Sequence, residues 1–426
     1  MKKVLIITYY WPPQGGVGVQ RWLKLSKYLL KHNCEPIIYT QSKGLSSLED
    51  PSLLSSIPVG LKILRNQIFE PNKFFSFFSN KRPSSDILIQ DSTNFFTKIL
   101  IWLRANLFIP DSRCLFIKPS ILFLNNYLQK NHVDLIISTG PPHSMHLIAL
   151  ALKNQHNIKW IADFRDPWTY IEYFEKLPLL NTQKKKHKNL EKEVLSQADL
   201  VLSVSDSWAK DFNQLGAKKT AVLTNGFDAE DYKYTNLNQN KSFIIGHFGL
   251  YNQLRDHVFL WDVIKKISHD IPSFKQDLKI IFSGEVHANF FKQIHHFGLT
   301  NKLDYFSYLP HSDSIRKMLE SDILLVTHGD TRSVSGRLPA KLFEYIGARR
   351  PILAIGAKNS DLEKIMSNIS YCWFVEFNND KLLYDTIIKI YEMRNSSNTY
   401  NDNISQFSRE EQAKDLIKTI DDLCLK

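Results

Sequence analysis

The segment Val4–Gly18 reads VLIITYYWPPQGGVG. Its first residues, Val4–Thr8, form an apolar run of the length of a buried strand, and a helical pattern follows at Val19–His32. A strand, a glycine-containing loop and a helix in this order are typical of doubly wound α/β sheets. Gly15 and Gly16 would let backbone N–H groups approach an anion at the helix start. The segment predicts a candidate phosphate-binding loop, with a simple tight turn as the open alternative.

This loop does not fit the dinucleotide-binding fingerprint. After Gly16 and Gly18 that fingerprint needs a third glycine at position 21, where the chain has Arg21. The sequence therefore disfavours a nicotinamide-dependent dehydrogenase.

The strand–helix alternation continues along nearly the whole chain, which predicts parallel sheets with helices on both faces. A polar, asparagine-rich stretch at Tyr234–Ser242 interrupts it and is the candidate linker between two halves of similar size. A final amphipathic helix, Ser408–Leu425, is expected either to cap the second half or to return to the first. The predicted strands are Val4–Thr8, Pro36–Thr40, Val133–Ser138, Lys159–Asp163, Leu200–Val204, Ala221–Thr224, Phe243–Phe248, Leu278–Ser283, Leu303–Ser307, Ile323–Thr327, Ile352–Ile355 and Tyr371–Val375.

Length, charge and cysteine use narrow the class of protein. A chain of 426 residues suits two domains, and four scattered cysteines without metal-ligand spacing indicate reduced thiols. No apolar stretch approaches the roughly 18 residues that span a bilayer. The net charge of +11 favours a phosphorylated substrate or an anionic membrane face. The reduced thiols indicate a cytoplasmic protein. Because no nucleic-acid-binding motif accompanies the charge, we expect no nucleic-acid partner.

Two segments raise the question of membrane contact. Aromatic residues are dense before and within Phe95–Pro110, and Lys98 and Arg104 flank its apolar face. Core packing and a position in the membrane interface both remain open for this segment. A run of lysines leads into a helix predicted at Leu190–Gln197, and it is either a solvated surface or a docking site for an anionic inner membrane. The aromatic residues that precede Phe95 are Phe74, Phe75, Phe77 and Phe78. The lysines of the run are Lys184, Lys185, Lys186 and Lys188.

In the first half, polar side chains follow two predicted strands. His143 and His146 come after the strand that ends at Ser138, and Asp163 and Arg165 close the next strand. Open α/β sheets bind ligands at the carboxyl ends of their strands. His143 is a candidate for contacting a sugar hydroxyl or acting as an acid, while Asp163 and Arg165 are candidates for holding an acceptor hydroxyl or phosphate. A buried histidine and a structural salt-bridged turn stay open as alternatives.

In the second half, a glycine turn at Gly336 precedes a proline and a helix that carries Lys341 and Glu344. The helix N-terminus offers free N–H groups to a diphosphate, and the glutamate is placed to accept hydrogen bonds from a ribose diol. Gly249 and Arg255 form a second glycine-then-arginine element after the first strand of this half. Neither half contains a paired-histidine helix motif or an aspartate-rich motif, so we predict no metal site.

The chain resembles glycosyltransferase family 4 and its GT-B relatives along nearly its whole length. The stretches that carry the resemblance are PPQGGVGVQR, STGPPHSMH, ADFRDPW, EKEVLSQADLVLSVSDSW, VLTNGFD, FIIGHFGL and RLPAKLFEYIGARRPILAIG. The resemblance implies an α/β fold of two Rossmann-like domains facing across a cleft, with the final helix crossing back to the N-terminal domain. It implies domains at residues 1–230 with 405–426 and at 240–400, the latter binding the nucleotide.

The resemblance also assigns roles to single residues. Glu344 matches the glutamate that binds the donor ribose, Arg255 lies in the loop that offers a basic residue to the diphosphate, and Gly15 and Gly16 match the glycine loop. The family often has a second glutamate eight positions earlier, and here that position is Gly336, so a side chain that contacts the donor sugar is missing.

The function implied is a metal-independent, retaining hexosyltransferase that uses a nucleotide diphosphate sugar as donor substrate and no further cofactor. The expected acceptor is a glycan or a lipid-linked intermediate of surface polysaccharide synthesis, with peripheral contact to the inner face of the membrane. Two alternatives stay open. A nucleotide-sugar epimerase would isomerise the donor without an acceptor, and a catalytically silent binding subunit of a polysaccharide assembly complex would bind the donor without transfer.

Overall fold

The computed structural model describes residues 1–42, 49–67, 95–233, 242–394 and 400–425. The chain divides into two compact units. The first unit comprises Met1–Thr224 and Glu410–Lys426, and the second comprises Asn225–Arg409. The aromatic cluster Phe74–Phe78 and residues 234–241 of the candidate linker lie outside the described residues.

The first unit contains a seven-stranded sheet in the order β3-β2-β1-β4-β5-β6-β7, and every pairing is parallel. Its strands are β1 Lys2–Ile7, β2 Cys34–Gln41, β3 Lys62–Asn66, β4 Leu135–Gly140, β5 Lys159–Phe164, β6 Leu200–Ser203 and β7 Thr220–Val222. Its helices before the second unit are α1 Val17–Lys31, α2 Phe95–Leu107, α3 Ile117–Leu128, α4 Ser144–His156, α5 Glu172–Lys176, α6 Asn181–Gln197 and α7 Asp206–Gln214.

The run Val4–Ile7 in β1 explains why this sheet is covered on both faces. All four side chains are fully buried, and successive residues pack into different apolar clusters. Leu5 and Ile7 join the cluster that contains α4, while Val4 and Ile6 join the one that contains α1. A continuous apolar run is what a central parallel strand needs when helices cover both sides.

The second unit repeats this arrangement with six parallel strands in the order β10-β9-β8-β11-β12-β13. The strands are β8 Phe243–Phe248, β9 Leu278–Ser283, β10 Leu303–Phe306, β11 Ile323–Thr327, β12 Ile352–Gly356 and β13 Cys372–Glu376. The helices are α8 Val258–Asp270, α9 Pro272–Asp277, α10 Phe290–His296, α11 His311–Leu319, α12 Ala340–Ala348, α13 Asp361–Met366 and α14 Asp380–Met393. In the central strand β11, Ile323 and Leu325 pack into one cluster and Leu324 and Val326 into the other.

The last helix, α15 at Arg409–Cys424, packs on the first unit. One face buries four apolar residues spaced three or four apart, as an amphipathic helix requires, and they join the cluster of Val4 and Ile6. Glu410 forms an ion pair with Lys31 at 2.8 Å. The final helix therefore returns to the first unit. Its four buried residues are Ala413, Leu416, Ile420 and Leu423.

The predicted fold class is confirmed by the two parallel, helix-flanked sheets. Three predicted strands, among them Ile323–Thr327, have the observed bounds, whereas β3 at Lys62–Asn66 was missed. The helix expected at Leu190–Gln197 begins at Asn181, so the lysine run lies inside α6 rather than before it. Its lysine-rich first turns lack the apolar spacing by which helices are recognised. None of the helices in the described part of the chain is long and apolar enough to cross a membrane.

Candidate functional site

Each sheet has one point at which the strand order reverses. In the first unit it lies between β1 and β4, and in the second unit between β8 and β11. The crevice beyond the carboxyl ends of two such strands is where open α/β sheets bind their ligands. The residues that follow these four strands are therefore the first candidates for a functional site in each unit.

The glycine loop follows β1 in the first unit. Gly16 is the N-cap of α1 and has a φ of 97°, a left-handed conformation that favours glycine. Two contacts hold the preceding turn: Arg65 Nη2 donates to the Pro12 carbonyl at 3.0 Å, and the Asp50 N–H donates to the Pro13 carbonyl at 2.8 Å. Gly15 lies in the same held turn, at the start of a fifteen-residue helix.

Gly18 is required by the close approach of Arg165. A Cβ atom added at Gly18 would lie 2.6 Å from Arg165 Nη1, a distance that real Cβ atoms do not tolerate. The half-buried guanidinium donates through Nε to the Gly140 carbonyl at 3.2 Å and through Nη2 to the Pro141 carbonyl. Arg165 is thus held between the loop after β1 and the loop after β4. The sequence showed these two loops separately and not their contact.

Asp163 is fully buried and fully hydrogen-bonded. Its carboxylate accepts from Arg21 at 2.8 and 3.2 Å, from Trp22 Nε1 at 2.9 Å and from the Thr139 hydroxyl at 2.8 Å. Burial raises the pKa of Asp163, but the charge of Arg21 and these hydrogen bonds outweigh burial and leave the pKa below its usual value. The salt bridge of Asp163 is therefore formed with Arg21 of α1, whereas the alternative left open by the sequence was a salt-bridged turn that includes Arg165.

His143 lies directly before α4 and is 5% exposed. Its ring stacks on Trp168 with 4.8 Å between centroids, and neither ring nitrogen has a hydrogen-bond partner among the described residues. Burial lowers its pKa well below the usual value, and the neighbouring His146 and Arg165 lower it further. A neutral imidazole with both nitrogens unused can donate one hydrogen bond and accept another.

His146 differs from His143 because one of its nitrogens is engaged. Nδ1 is hydrogen-bonded to the Ser138 hydroxyl at 2.8 Å, and that hydroxyl also accepts from Trp160 Nε1. Burial lowers the pKa of His146 to about 3. A Cβ atom at Gly140 would lie 2.5 Å from Nε2, so the loop after β4 packs closely on this ring.

In the second unit, Gly249 follows β8 with a φ of 103°. Its N–H donates to the Ser283 carbonyl at 2.6 Å, and Gly284 packs directly against its backbone. A Cβ atom at Gly249 would lie 3.4 Å from Lys341 Nζ. The conformation of this glycine therefore brings the loop after β8 against the first turn of α12.

Lys341 is half-buried, and its ammonium contacts a histidine instead of a carboxylate. Nζ donates to His247 Nε2 at 2.7 Å, while His247 Nδ1 donates to the Leu325 carbonyl at 3.0 Å. Burial and the charge of Arg255 lower the pKa of Lys341 well below its usual value, although Glu344 opposes them. An anion that binds here would restore a fully charged ammonium.

His328 follows β11 at the switch point of the second sheet. It is 1% exposed, and neither ring nitrogen has a partner in the part of the chain that the structure describes. Burial lowers its pKa to about 3, helped by the charges of Arg337, Arg255 and Lys341. The His328 imidazole is therefore neutral and lies within an electropositive group of side chains.

Glu344 lies in the second turn of α12, and its half-buried carboxylate has no hydrogen-bond partner among the described residues. Burial raises its pKa, as does Asp231, whereas His311, Arg409 and Lys341 lower it. Only the backbone carbonyl of Glu344 is engaged, accepting from the Tyr232 hydroxyl at 2.8 Å. The carboxylate is thus available to a ligand.

Gly336 closes a short 3-10 turn, Val334–Gly336, and is buried. Because it lacks a side chain, it supplies no carboxylate to the loop between β11 and α12. Lys341 lies five positions later and Glu344 eight positions later, both on α12.

The structure brings predicted residues together in both units: in the first unit Arg165 interacts electrostatically with His143 and Asp163. Lys341 interacts electrostatically with both Arg255 and Glu344, and Gly249 packs near it. Sequence reasoning missed His247 and His328. Their position at the ends of β8 and β11 was a usable signal for both. Over the described residues, no group of three or more histidine, cysteine, aspartate or glutamate side chains is arranged to hold a metal ion.

Residues 15–231, just over half of the chain, match the family described as "Glycosyltransferase Family 4". No curated protein matches the sequence.

The structure is similar to several solved proteins over nearly its whole length. One is a glycosyltransferase from Rickettsia africae, with a TM-score of 0.63, 16% identity and coverage of 99% of this chain and 98% of that one. Another is sucrose-phosphate synthase from Thermosynechococcus elongatus, with a TM-score of 0.62, 11% identity and coverage of 100% and 97%. A third is an E. coli trehalose-6-phosphate protein bound with UDP-2-fluoro glucose, with a TM-score of 0.61, 11% identity and coverage of 98% and 99%. At these identities the likeness establishes the fold, which is the predicted GT-B fold.

Proposed function

This chain belongs to glycosyltransferase family 4, and on that premise we propose that it is a retaining transferase acting on a nucleoside diphosphate sugar. The proposed acceptor is a glycan or a lipid-linked intermediate of surface polysaccharide synthesis. That the chain is a glycosyltransferase with a GT-B fold follows from the family match and the solved structures. The donor class, the stereochemistry and the acceptor are the proposed part.

The observation that supports the donor class is the environment of Lys341. Its ammonium contacts the neutral His247 at 2.7 Å and is close enough to Arg255 for the two charges to repel. Burial and the charge of Arg255 disfavour the charged form of Lys341 in the free protein, and a polyanion bound beside Lys341 would favour that charged form. A diphosphate supplies acceptors for both cations and for the free N–H groups at the start of α12.

We assign the chemical step to electrostatic stabilisation. As the glycosidic bond to the diphosphate breaks, negative charge grows on the leaving oxygens, and Lys341 and Arg255 would stabilise it in a partly desolvated site. In this proposal the two side chains take the role that a metal ion has in other sugar transferases. Glu344 would accept hydrogen bonds from the ribose hydroxyls, which fits its unengaged carboxylate.

In the first unit we assign different roles to the three predicted catalytic residues. His143, neutral and without partners, would hydrogen-bond a sugar hydroxyl. Arg165, whose Nη1 lies against Gly18, would contact an anionic group of the acceptor. Asp163 is a positioning residue in this proposal, because its lone pairs are taken by Arg21, Trp22 and Thr139.

We also propose contact with an anionic membrane at the cytoplasmic face. Asn106 of α2 donates to the Pro178 carbonyl and accepts from the Leu180 N–H, so the end of α2 adjoins the start of α6. Exposed apolar side chains, Trp102 and Leu107 among them, therefore lie near the lysine run of α6. Apolar side chains bordered by lysines are suited to a negatively charged lipid surface.

Flotation with vesicles of mixed neutral and anionic lipid tests this contact. The variant that replaces Lys184, Lys185, Lys186 and Lys188 with glutamine should lose most vesicle binding. A matched variant with glutamine at Lys265, Lys266, Lys275 and Lys279 of the second unit should keep it. Equal binding by the wild type and the α6 variant would contradict a role for these lysines.

Turnover measurements test the proposed activity. The protein is incubated with UDP- and GDP-sugars, with and without membrane lipid extracts, and the released nucleoside diphosphate and the glycolipid products are measured. Release that depends on the extract, with a product of retained anomeric configuration, is the expected result. Conversion of the donor without an acceptor would favour the epimerase alternative. Donor binding without any turnover across many acceptors would favour the silent binding subunit.

A further inference from the structure

The strongest unexplained feature of the second unit is the polar group of side chains at the end of β11. His328 is 1% exposed, yet neither of its ring nitrogens is hydrogen-bonded to a described residue. The hydroxyls of Thr327 and Thr331 in the same stretch are also buried without partners. Buried polar groups in proteins are normally satisfied, so a group of three within five residues needs an explanation.

The loop that carries these residues is held firmly in place. His257 Nε2 is hydrogen-bonded to the His328 carbonyl at 2.7 Å, and the His328 N–H donates to the Ile355 carbonyl at 2.9 Å. A Cβ atom at Gly329 would lie 2.7 Å from Leu254 Cβ, so the loop packs against the turn that leads to Arg255. The backbone that carries the unused imidazole is therefore fixed at the switch point.

The chemistry of His328 differs from that of the cations around it. Arg337, Arg255 and Lys341 only donate hydrogen bonds, and they match phosphate oxygens, which only accept. A neutral imidazole donates through one nitrogen and accepts through the other, and a threonine hydroxyl does the same through one oxygen. The ligand group that both donates and accepts is a hydroxyl, and the sugar of a nucleoside diphosphate sugar carries several.

We propose that His328 is a specificity-determining residue that hydrogen-bonds a hydroxyl of the donor sugar, with Thr331 as a second contact. This rests on the proposed function, because it places the sugar beside the diphosphate bound at Lys341. Gly336 offers no side chain in the same loop, so His328 and Thr331 supply the hydrogen bonds that orient the sugar.

Binding of donor and of its nucleotide alone separates this role from a structural one. Calorimetric titrations compare UDP with UDP-glucose and GDP with GDP-mannose for the wild type, His328→Leu and Thr331→Val. We expect His328→Leu to weaken the sugar nucleotide about tenfold or more, and to leave the matching nucleoside diphosphate within about twofold. Thr331→Val should weaken the sugar nucleotide less. His269→Leu, an exposed histidine of α8, should change neither affinity.

Thermal unfolding of the same variants tests whether they are folded, so that a loss of affinity is not caused by a loss of structure. Leucine removes an unsatisfied buried ring without leaving a large cavity, so His328→Leu should unfold at the same temperature as the wild type or higher. Equal loss of affinity for UDP and UDP-glucose, or no loss for either sugar nucleotide, would overturn the proposal. Failure of the wild type to bind any of the four nucleotides would overturn the proposed function and this inference with it.

Discussion

Both units have charged residues near the carboxyl ends of their strands, but the partners of these charges differ between the two units. In the first unit the Asp163 carboxylate meets the Arg21 guanidinium at 2.8 Å, and both side chains are fully buried. In the second unit the Lys341 ammonium meets only a neutral histidine, with Arg255 close by. The Asp163–Arg21 pair is satisfied within the protein, whereas the Lys341 ammonium is hydrogen-bonded to no carboxylate among the described residues. A charged side chain near the edge of a sheet thus indicates a binding site only where no opposite charge forms an ion pair with it.

The largest expected effect is on the stability of the first unit. Asp163→Asn leaves the buried Arg21 uncompensated, which should lower the free energy of unfolding by about 3–5 kcal/mol. Denaturant unfolding of this variant measures the loss. Asp206→Asn, which changes an exposed carboxylate of the same unit, is the control and should change stability little. A loss of under about 1 kcal/mol in Asp163→Asn would show that the pair is not the structural element described here.

The corresponding substitution in the second unit, Lys341→Met, should lower activity and not stability. Lys341→Met removes a cation that develops its full interaction only with the diphosphate, so kcat/KM should fall about 10²–10³-fold. Stability should stay the same or rise, because a half-buried charge without a carboxylate partner is removed. Steady-state kinetics and denaturant unfolding measure the two quantities. Lys358→Met, an exposed lysine of the same unit, is the control. A marked fall in stability with unchanged kcat/KM would show that Lys341 has a structural role, and would contradict its proposed role in binding the diphosphate.

A smaller effect is expected from the unpartnered histidine of the first unit. His143→Phe keeps a flat ring against Trp168 but removes both nitrogens, so it should lower kcat about tenfold through one lost hydrogen bond. KM for the donor should change little. His132→Phe, an exposed histidine of the same unit, should leave both constants unchanged. A kcat of His143→Phe equal to that of the wild type would show that His143 makes no hydrogen bond needed for the reaction.

The last expected effect is a pH dependence of stability that both units share. His146 and His328 each have a pKa of about 3 in the folded protein, below that of an unfolded histidine. Since the unfolded chain binds more protons, this contribution is complete above the unfolded pKa, about 6.5, and is lost as pH falls below it. The slope is about 1.36 kcal/mol per pH unit for each histidine. Unfolding measured from pH 7 to pH 5 should be flatter in His146→Phe and in His328→Leu than in the wild type, and an unchanged slope in both would contradict the neutral, buried state.

The alternation of strands and helices could be predicted because each central strand is a local apolar run. Three strands, such as Phe243–Phe248, even have the predicted bounds. The helix predicted to carry Lys341 and Glu344 was equally local, and it is observed as α12 at Ala340–Ala348. The early part of α6 was not predicted, because exposed lysines carry no apolar periodicity.

The candidate site could be predicted only in part, because its chemistry depends on contacts between distant residues. Asp163 and Arg21 are 142 positions apart, so the sequence could not show that the carboxylate is already neutralised. Lys341 and His247 are 94 positions apart, and nothing local marks that pairing. The contact between Gly18 and Arg165 was hidden for the same reason. The roles of the predicted site residues stay predictions until ligand binding is measured.

Ligand-induced stabilisation tests the central claim, a nucleotide site in the second unit, most directly. Thermal unfolding of the wild type and of Glu344→Ala is followed with a panel of nucleoside diphosphates and their sugars. We expect one nucleotide series to stabilise the wild type, by about 2.7 kcal/mol at a ligand concentration one hundred times its Kd, and to lose most of this effect in Glu344→Ala. No stabilisation by any nucleotide, or equal stabilisation of both proteins, would contradict the site described at Lys341 and Glu344.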